Sequence, residues 1–489
     1  MATSKKSRPT RLVLVESHAK AKKIEAYLNA HEGSNRRILV RATAGHIRDL
    51  PKKSLGIDVE NNFALDYEIS ASKRSVIQEL NICMKLVRKT KGGDVVLASD
   101  KDREGEAIAQ SVIDVLNLPP NSPRMVFTEI TKGAIIEAYK NMGTIDTAMV
   151  HAQEARRAID RLMGYELSPV LWSNISGNGL SAGRTQSVAL KIVCDNEKTI
   201  DNFESKFDFK FMGTLCIGND EETKMDSKVT WQVGKTPEYS LTEISDIKNR
   251  LLYLSDADKH PYTVFNQNDR VASHAAPPPF TTSTMQQESR SKLGLSIKAT
   301  QATAQKLYQS GLITYIRTDS TAVAASAVPP IKNLIKETWG GDWVGNRQGT
   351  ISKKNTNKTK KGKKGPRVEE AHECIRPTNI KNKGEHLEGI EAKLYQLIWR
   401  RTVAAFMSPQ RVHEFNFQVS VDGLDPKKEG FFRGKLENEL FSGWKILTRT
   451  EESQKKTKWT FNIKKSLDLC YPKDLEAFGT QTTAPPRFT

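Results

Sequence analysis

Cysteine is scarce in this sequence and follows no pattern. The five cysteines stand far apart, at Cys83, Cys194, Cys216, Cys374 and Cys470, and none belongs to a CxxC pair. A disulfide framework needs clustered cysteines, and a zinc ribbon needs paired CxxC motifs. The sequence therefore supports neither, and we expect an intracellular chain with reduced thiols.

Long hydrophobic runs are missing as well. No segment approaches the ~18 consecutive apolar residues that a membrane span needs. The basic start of the chain, residues 1–17, also lacks the apolar stretch of a secretory signal. Apolar residues make up 37% of the sequence, which suffices for buried cores. We expect a chain that is neither secreted nor in contact with a membrane.

A phosphate-binding loop for ATP is also absent. The tripeptide GKT occurs at 234–236, but the GxxxxGK[ST] pattern requires glycine where this sequence has Val229. We therefore interpret the tripeptide as a coincidence.

Positive charge is abundant. The chain has 75 lysines and arginines against 57 aspartates and glutamates, which gives a formal net charge of +18. This excess of positive charge predicts a polyanionic partner, and it favours nucleic acid over a membrane surface. The 489 residues are enough for several domains, each with its own core.

Strand-like and helix-like segments alternate through the first part of the chain. Apolar strands are predicted at 11–17, 94–100 and 123–130, each followed by a segment of helical spacing. This repetition is typical of a parallel sheet covered by helices, in which sites lie beyond the carboxyl ends of the strands. Glu16 and Asp100 stand at the ends of two strands, so we expect both carboxylates at one edge of the sheet.

The rest of the chain changes character twice. Residues 151–205 have helical spacing, residues 206–275 alternate like strands, and similar strands return at 413–464 after a helical block at 281–345. The simplest interpretation is one β domain that the chain leaves near 275 and re-enters near 410. The lysine-rich segment 353–367 has no apolar residue and is predicted to be a disordered loop.

Three carboxylates crowd together in the stretch VVLASDKDREGEAIA, at Asp100, Asp102 and Glu104. They repel one another unless a positive charge lies between them, and Mg²⁺ is the usual partner of such carboxylates. The alternative is a polar first turn, where acidic residues complement the helix dipole. The end of a strand, the carboxylate of Glu16 and the nearby cation of Lys20 favour the metal site.

The two acidic segments VVLASDKDREGEAIA and LVLVESHAKAKKI together resemble the Toprim domain, which has a glutamate after one strand and DxDxE after another. The stretch LYQSGLITYIRTDST resembles the active-site tyrosine motif of type IA DNA topoisomerases, with Tyr315 at the nucleophile and Arg317 beside it. A tyrosine in an apolar strand is more often packing than a nucleophile, but the Toprim resemblance reverses that preference. Further segments resemble the family in the same order: ATAGHIRDLP, RMVFTEIT, LSAGRTQSVAL, PPPFTTSTMQQESRSKLGLS and AHECIRPT.

The resemblance implies a multidomain α/β fold arranged as an open toroid, closest to the bacterial topoisomerase I branch. A Toprim (Rossmann-like) parallel-sheet domain, a helical DNA-binding domain, a β-arch domain and a helical domain with the active-site tyrosine would build it. The domains would span residues 1–150, 151–205 (resumed at about 441–489), 206–275 (resumed at about 410–440) and 276–409 with the loop at 353–367.

The resemblance also implies a reaction. Tyr315 would cleave one DNA strand through a 5′-phosphotyrosine intermediate, whose bond energy allows resealing without ATP. Arg317 and Lys20 would stabilise the negative charge, Glu16 would act as general acid and base, and His372 would lie near the site. The ligands of Mg²⁺ would be Glu16, Asp100, Asp102 and Glu104.

The implied substrate is a single-stranded segment of negatively supercoiled DNA. The residues expected to contact it are Arg124, Arg161, Arg184 and Gln186; Gln186 could instead cap the following helix. We expect a monomer that lies with the DNA, in the cytoplasm or nucleoid or in a nucleus.

Two alternatives remain open. A Toprim metal-dependent nuclease or primase-like protein would leave Tyr315 structural, although such a protein needs none of the segments outside the Toprim region. In the family, PPRFT is followed by a helical segment, so we expect this chain to be C-terminally truncated or completed in trans. A catalytically incomplete fragment that binds single-stranded DNA is therefore the third interpretation.

Overall fold

The computed structural model describes residues 8–205, 207–217, 225–232, 244–348, 373–427, 429–448, 470–481 and 483–488. Its contacts divide the chain into two compact units. The first consists of Met1–Ser187, Pro277–Gly341 and Asn346–Phe406, and the second of Val188–Ala276, Asp342–Gly345 and Met407–Thr489. The finer division into four domains stays a prediction.

Helices make up much of the described chain. In chain order, the α-helices are α1 (His18–Glu32), α2 (Arg74–Lys89), α3 (Arg103–Leu116), α4 (Lys132–Lys140), α5 (Thr147–Asn174), α6 (Arg184–Asp201), α7 (Ile244–Ser255), α8 (Thr282–Leu293), α9 (Ile297–Gln309), α10 (Val328–Trp339) and α11 (Gly389–Ala404). Short 3-10 helices lie at Ala71–Lys73, Ala325–Ala327, Gly341–Trp343 and Gly443–Thr448. In the described part of the chain, no helix is both long enough and apolar enough to cross a membrane.

The strands of the first unit form one parallel sheet and two short hairpin-like pairs. They are β1 (Thr10–Val15), β2 (Arg37–Ala42), β3 (Arg48–Asp49), β4 (Ile57–Asp58), β5 (Ala64–Leu65), β6 (Glu68–Ile69) and β7 (Asp94–Leu97). The parallel sheet has the order β2-β1-β7, while β3 pairs with β6 and β4 with β5. The parallel sheet confirms the prediction for this part of the chain.

The parallel sheet is buried on both faces because the central residues of its strands are apolar. On one face Leu12 and Leu14 pack against Ile77 of α2 and Val112 of α3. The other face holds Val13, which is fully buried, as are Ile24 and Leu28 of α1. The carboxyl ends of β1 and β7 therefore open toward one edge, where Glu16 and Asp100 follow them.

The predicted strand at 123–130 is wrong. Only a single parallel bridge joins Leu97 to Arg124, with hydrogen bonds from Leu97 to Pro123 and from Met125 to Leu97. Proline has no N–H to extend the pairing, and the main chain of Arg124 also pairs with Gly143. The segment thus touches the sheet without becoming its fourth strand.

The second unit is built on one six-stranded antiparallel sheet. Its strands are β8 (Phe207–Ile217), β9 (Met225–Gln232), β10 (Tyr262–His274), β11 (Gln410–Val421), β12 (Phe431–Phe441) and β13 (Cys470–Gln481). The order β10-β11-β12-β9-β8-β13 confirms that the chain leaves this sheet and later returns to it. Alternating aromatic residues, among them Phe415, Phe417 and Phe432, form its core.

Strand β13 is a correction, because residues 441–489 were predicted to resume the helical domain. The strand pairs with β8 over its whole length, and a register shift lies between Pro472 and Asp474. Proline cannot donate a main-chain hydrogen bond, but it is tolerated in an edge strand such as β13, where no further strand needs that donor. Pro472 also makes the segment look unlike a strand in the sequence. Residues 449–464 of the predicted strand region 413–464 and the lysine-rich loop at 353–367 lie outside the described residues.

Candidate active site

The acidic edge of the parallel sheet is organised around one buried lysine. Lys20 is fully buried in the first turns of α1, and its Nζ donates to Glu16 Oε1 at 2.8 Å and to Asp100 Oδ1 at 2.5 Å. The spacing of four residues puts Glu16 and Lys20 on the same side of the chain. Lys20 thus joins the ends of β1 and β7 by neutralising their carboxylates.

The two carboxylates differ in their affinity for a proton. Burial raises the pKa of Asp100 to about 7, against the opposing charge of Lys20. Burial alone would raise the pKa of Glu16 too, but its hydrogen bond with Asp100 and the charge of Lys20 outweigh burial and lower it. Asp100 therefore binds a proton more readily than Glu16 does.

Asp102 connects this edge to the segment that carries the tyrosine. It caps α3, accepting from the N–H of Gly105 at 2.7 Å. The hydroxyl of Tyr315 donates to its Oδ2, and Nη1 of Arg317 lies 3.2 Å from the same oxygen. Residues separated by more than 200 positions in the sequence are thus in direct contact.

Tyr315 is held from two sides and is 5% exposed. Its main-chain N–H donates to Thr128 O at 2.9 Å, and its ring meets the ring of Tyr308 edge to face at 5.2 Å. The segment is irregular rather than the expected strand, since only Ile313 makes a bridge, to Pro377.

The hydroxyl of Tyr315 is protonated in this arrangement. Burial, followed by the negative charges of Asp100 and Asp102, raises its pKa far above the ordinary value, and Arg317 opposes them only in part. A phenolate beside these carboxylates requires additional positive charge.

Glu104 contacts two side chains that the sequence analysis did not single out, a histidine and an arginine. Nε2 of His46 is 2.9 Å from its Oε2, and Nη1 of Arg156 is 4.0 Å from its Oε1. The hydrogen bond with His46 lowers the pKa of Glu104, although burial opposes it. His46 lies in ATAGHIRDLP, one of the segments that resemble the family. Its place in that segment was the sequence signal that could have identified His46 as a site residue.

The four predicted metal ligands do not converge in this structure. Across the described ranges, no three Asp, Glu, His or Cys side chains form a group that could hold a metal ion. Lys20, Arg317 and His46 each bind one or two of the carboxylates instead. The ligand chemistry fits Mg²⁺, because all four are hard oxygen donors, but the predicted single cluster is not assembled in this arrangement.

Arg124 is a further correction, because it cannot contact DNA from its present position. The side chain is fully buried, and its Nη2 and Nε donate to Glu106 Oε1 at 2.8 and 3.1 Å. Its remaining donors reach the carbonyls of Ser99, Asp100 and Met125. Arg124 therefore fixes the main chain beneath the acidic edge, and Glu106, which the sequence analysis missed, is its partner.

The other residues expected at DNA are exposed or half-buried, but each already has a protein partner. Arg161 donates to the carbonyls of Leu55 and Ser54 at 3.1 and 2.8 Å. Arg184 is the first residue of α6, and its Nε is 2.9 Å from Asp160 Oδ1. Gln186 donates to Ser181 O at 2.7 Å, so their DNA contacts stay predictions.

His372 lies outside the described residues. Its neighbours contain a buried ion-pair network that the sequence analysis missed. Arg376 binds Glu373 at 2.5 Å and Glu129 at 3.0 Å, and its main-chain oxygen accepts from Thr314. The network ties the segment before Tyr315 to the loop that follows Thr128.

A polar cleft of about 500 Å³ opens at the acidic edge of the parallel sheet. Its lining includes Glu16, Asp100, Glu104, Tyr315 and Arg317. A hydroxyl nucleophile, a cation and several carboxylates around one cleft can support attack on a phosphodiester, provided that positive charge balances the phosphate.

Comparisons with known proteins give two family matches. A family model described as DNA topoisomerase matches residues 144–489, and a Toprim domain model matches residues 11–130. The chain is 38% identical over 451 residues to a protein of Acanthamoeba polyphaga mimivirus named DNA topoisomerase 1 type prokaryotic, covering 88% of this chain and 49% of that protein. It is 37% identical over 460 residues to DNA topoisomerase 1 of Thermotoga maritima, covering 90% and 64%.

A solved structure extends the comparison to the fold. Full-length topoisomerase I from Thermotoga maritima matches with a TM-score of 0.77 and 34% identity, covering 98% of this chain and 73% of that one. The chain spans 49% and 64% of the two curated relatives.

Proposed function

The chain belongs to the type IA DNA topoisomerases, and from that premise we propose that it relaxes negatively supercoiled DNA without ATP. One strand would be cut through a covalent bond to Tyr315, another strand would pass, and the cut would be resealed. The observation that carries the proposal is the contact of Tyr315 and Arg317 with Asp102 at the acidic edge of the sheet.

The chemistry assigns a role to each group in this contact. The Tyr315 hydroxyl passes its proton to Asp102, which already accepts its hydrogen bond, while its oxygen attacks the phosphorus. The bond to the 3′ oxygen breaks, and the strand's 5′ phosphate remains on the tyrosine. The leaving oxygen takes a proton from the pair of Glu16 and Asp100, and the reverse path reseals the strand. Arg317 offsets the charge that develops on the phosphate. Lys20 contacts the phosphate after the Lys20 ammonium has separated from Glu16 and Asp100.

The metal belongs to the same proposal. A Toprim domain binds a metal ion, typically Mg²⁺, and residues 11–130 match such a domain. The ligands would come from Glu16, Asp100, Asp102 and Glu104. When bound, Mg²⁺ would supply the positive charge that Tyr315 needs beside two carboxylates, chiefly during resealing.

The remaining details extend the proposal to the whole chain. The substrate is a single-stranded segment of supercoiled DNA, with Arg161, Arg184 and Gln186 along its path and His372 near the cleavage site. The protein acts as a monomer in the compartment that holds the DNA, with four domains in an open toroid. The family resemblance supports these points.

The experiment incubates the purified chain with negatively supercoiled plasmid and Mg²⁺ in the absence of ATP. Wild type and Tyr395→Phe are compared with Tyr315→Phe, because Tyr395 is also a buried tyrosine, and its hydroxyl donates to the main-chain oxygen of Asn382. We expect ladders of relaxed topoisomers from wild type and Tyr395→Phe, and none from Tyr315→Phe or after EDTA.

Two other results would reject the proposal. Nicked or linear plasmid that persists in Tyr315→Phe indicates a Toprim nuclease. Retarded migration of a single-stranded oligonucleotide by a protein that changes no plasmid indicates a binding fragment without catalysis.

A further inference from the structure

Tyr308 is a fully buried tyrosine that touches three groups of the proposed active site. It lies near the end of α9 and has no exposed surface. Its hydroxyl donates to Asp100 Oδ1 at 3.0 Å. Its ring meets the Tyr315 ring at 5.2 Å and 64°, and the Lys20 ammonium is 5.1 Å from its centroid.

We propose that Tyr308 is a positioning residue, whose hydroxyl fixes the Asp100 carboxyl and whose ring fixes the Tyr315 ring. The inference rests on the proposed function and adds a residue to it. Tyr308 itself exchanges no proton and forms no bond during the reaction.

The hydroxyl acts on one oxygen of Asp100. Oδ1 accepts from both Lys20 and Tyr308, and two donors on the same oxygen restrict rotation of the carboxyl group. Of the two donors, Lys20 also binds Glu16 and can move together with it. The Tyr308 hydroxyl is fixed more firmly, because its ring is fully buried. Preorganising a carboxyl group in this way avoids reorganisation during the reaction.

The ring acts on the nucleophile. An edge-to-face aromatic contact has a preferred geometry, so it restrains the direction of both rings. Tyr315 needs a defined ring direction, because its oxygen must approach phosphorus in line with the leaving oxygen. Tyr308 provides that contact from the side of α9.

The choice of tyrosine at this position supports the argument. A buried hydroxyl is costly unless it finds a partner, and phenylalanine would pack equally well if only the ring mattered. At Tyr395 the partner is a main-chain carbonyl, which is a structural use. At Tyr308 the partner is the Asp100 carboxyl instead.

The test compares Tyr308→Phe with Tyr395→Phe, since each loses one buried hydroxyl and keeps its ring. A single-stranded oligonucleotide labelled at its 3′ end reports the covalent adduct after denaturation, and its dissociation constant is measured separately. We expect Tyr308→Phe to slow adduct formation about 10-fold or more while its dissociation constant stays within about twofold of wild type. Tyr395→Phe should leave both values within about twofold.

A second readout does not depend on activity. Stabilisation against heat by Mg²⁺ alone should be smaller in Tyr308→Phe than in Tyr395→Phe, because Asp100 is less well oriented. The more severe Tyr308→Leu, which also removes the ring, should lower the adduct rate further.

Two results would overturn the inference, and they differ from each other. If Tyr308→Phe matches Tyr395→Phe in adduct rate and in stabilisation by Mg²⁺, Tyr308 only packs, while the proposed function stands. If wild type itself forms no adduct, the proposed function fails, and the role of Tyr308 fails with it.

Discussion

At the scale of the residue, burial decides what an arginine can do. Arg124 and Arg317 both lie next to acidic groups of the same edge, yet Arg124 is 1% exposed whereas the side chain of Arg317 is 58% exposed. All five N–H groups of a guanidinium must find acceptors when water is excluded, and Arg124 finds them in Glu106 and three carbonyls. Only Arg317 remains accessible to a substrate.

A stability measurement separates these two kinds of arginine. Arg124→Met should reduce the free energy of unfolding by about 3–5 kcal/mol, because it leaves Glu106 buried without its partner. Arg184→Met, which breaks the half-exposed pair with Asp160, should cost no more than about 1 kcal/mol. Urea unfolding followed by circular dichroism measures both, and equal losses in the two variants would contradict the structural role of Arg124.

At the scale of the element, the irregular segment before Tyr315 depends on a glycine. Gly311 has φ +66°, and a Cβ at this position would lie 2.5 Å from the carbonyl oxygen of Ile130. The chain therefore turns into the Tyr315 segment while pressed against the loop that also holds Tyr315 through Thr128. No L side chain with a Cβ fits there without a shift.

Gly294 provides a matched control for this position. Its φ is +67°, but nothing lies within 4 Å of the Cβ it would gain. Gly294→Ala should therefore cost only the backbone strain, about 1 kcal/mol. Gly311→Ala should cost more and displace Tyr315, which thermal unfolding and the oligonucleotide adduct assay will record. Adduct formation at the wild-type rate in Gly311→Ala would show that the close approach is unimportant.

At the scale of the whole molecule, the net charge of +18 should dominate binding to DNA. Each phosphate contact releases counterions, so the logarithm of affinity falls linearly with the logarithm of salt concentration. The charge alone carries no information about sequence.

The salt dependence gives a direct count of contacts. Arg184→Gln should flatten the slope for single-stranded DNA by about 0.7, the change expected for one lost phosphate contact. Arg36→Gln removes the same charge near the amino end of the parallel sheet, where Arg36 binds Asp94, and should leave the slope unchanged. Fluorescence anisotropy over a salt series measures both, and equal slopes in the two variants would reject the contact at Arg184.

The sequence predicted what local patterns encode. Apolar strands ending in Glu16 and Asp100 identified the edge of the sheet, and the motif around Tyr315 identified a tyrosine that contacts this edge. Contacts between distant segments escaped prediction. Strand β13 exists because β8 offers it an edge, Arg124 is buried because Glu106 faces it, and Tyr308 reaches Asp100 across 208 positions.

The most direct test of the central claim is to identify the residue that carries the DNA. Wild-type protein is mixed with a single-stranded oligonucleotide, denatured rapidly, digested with trypsin and nuclease, and analysed by mass spectrometry. The account predicts a nucleotide attached through its 5′ phosphate to the peptide that contains Tyr315, with no such adduct in Tyr315→Phe. An adduct on any other residue, or cleaved DNA with no adduct, would contradict it.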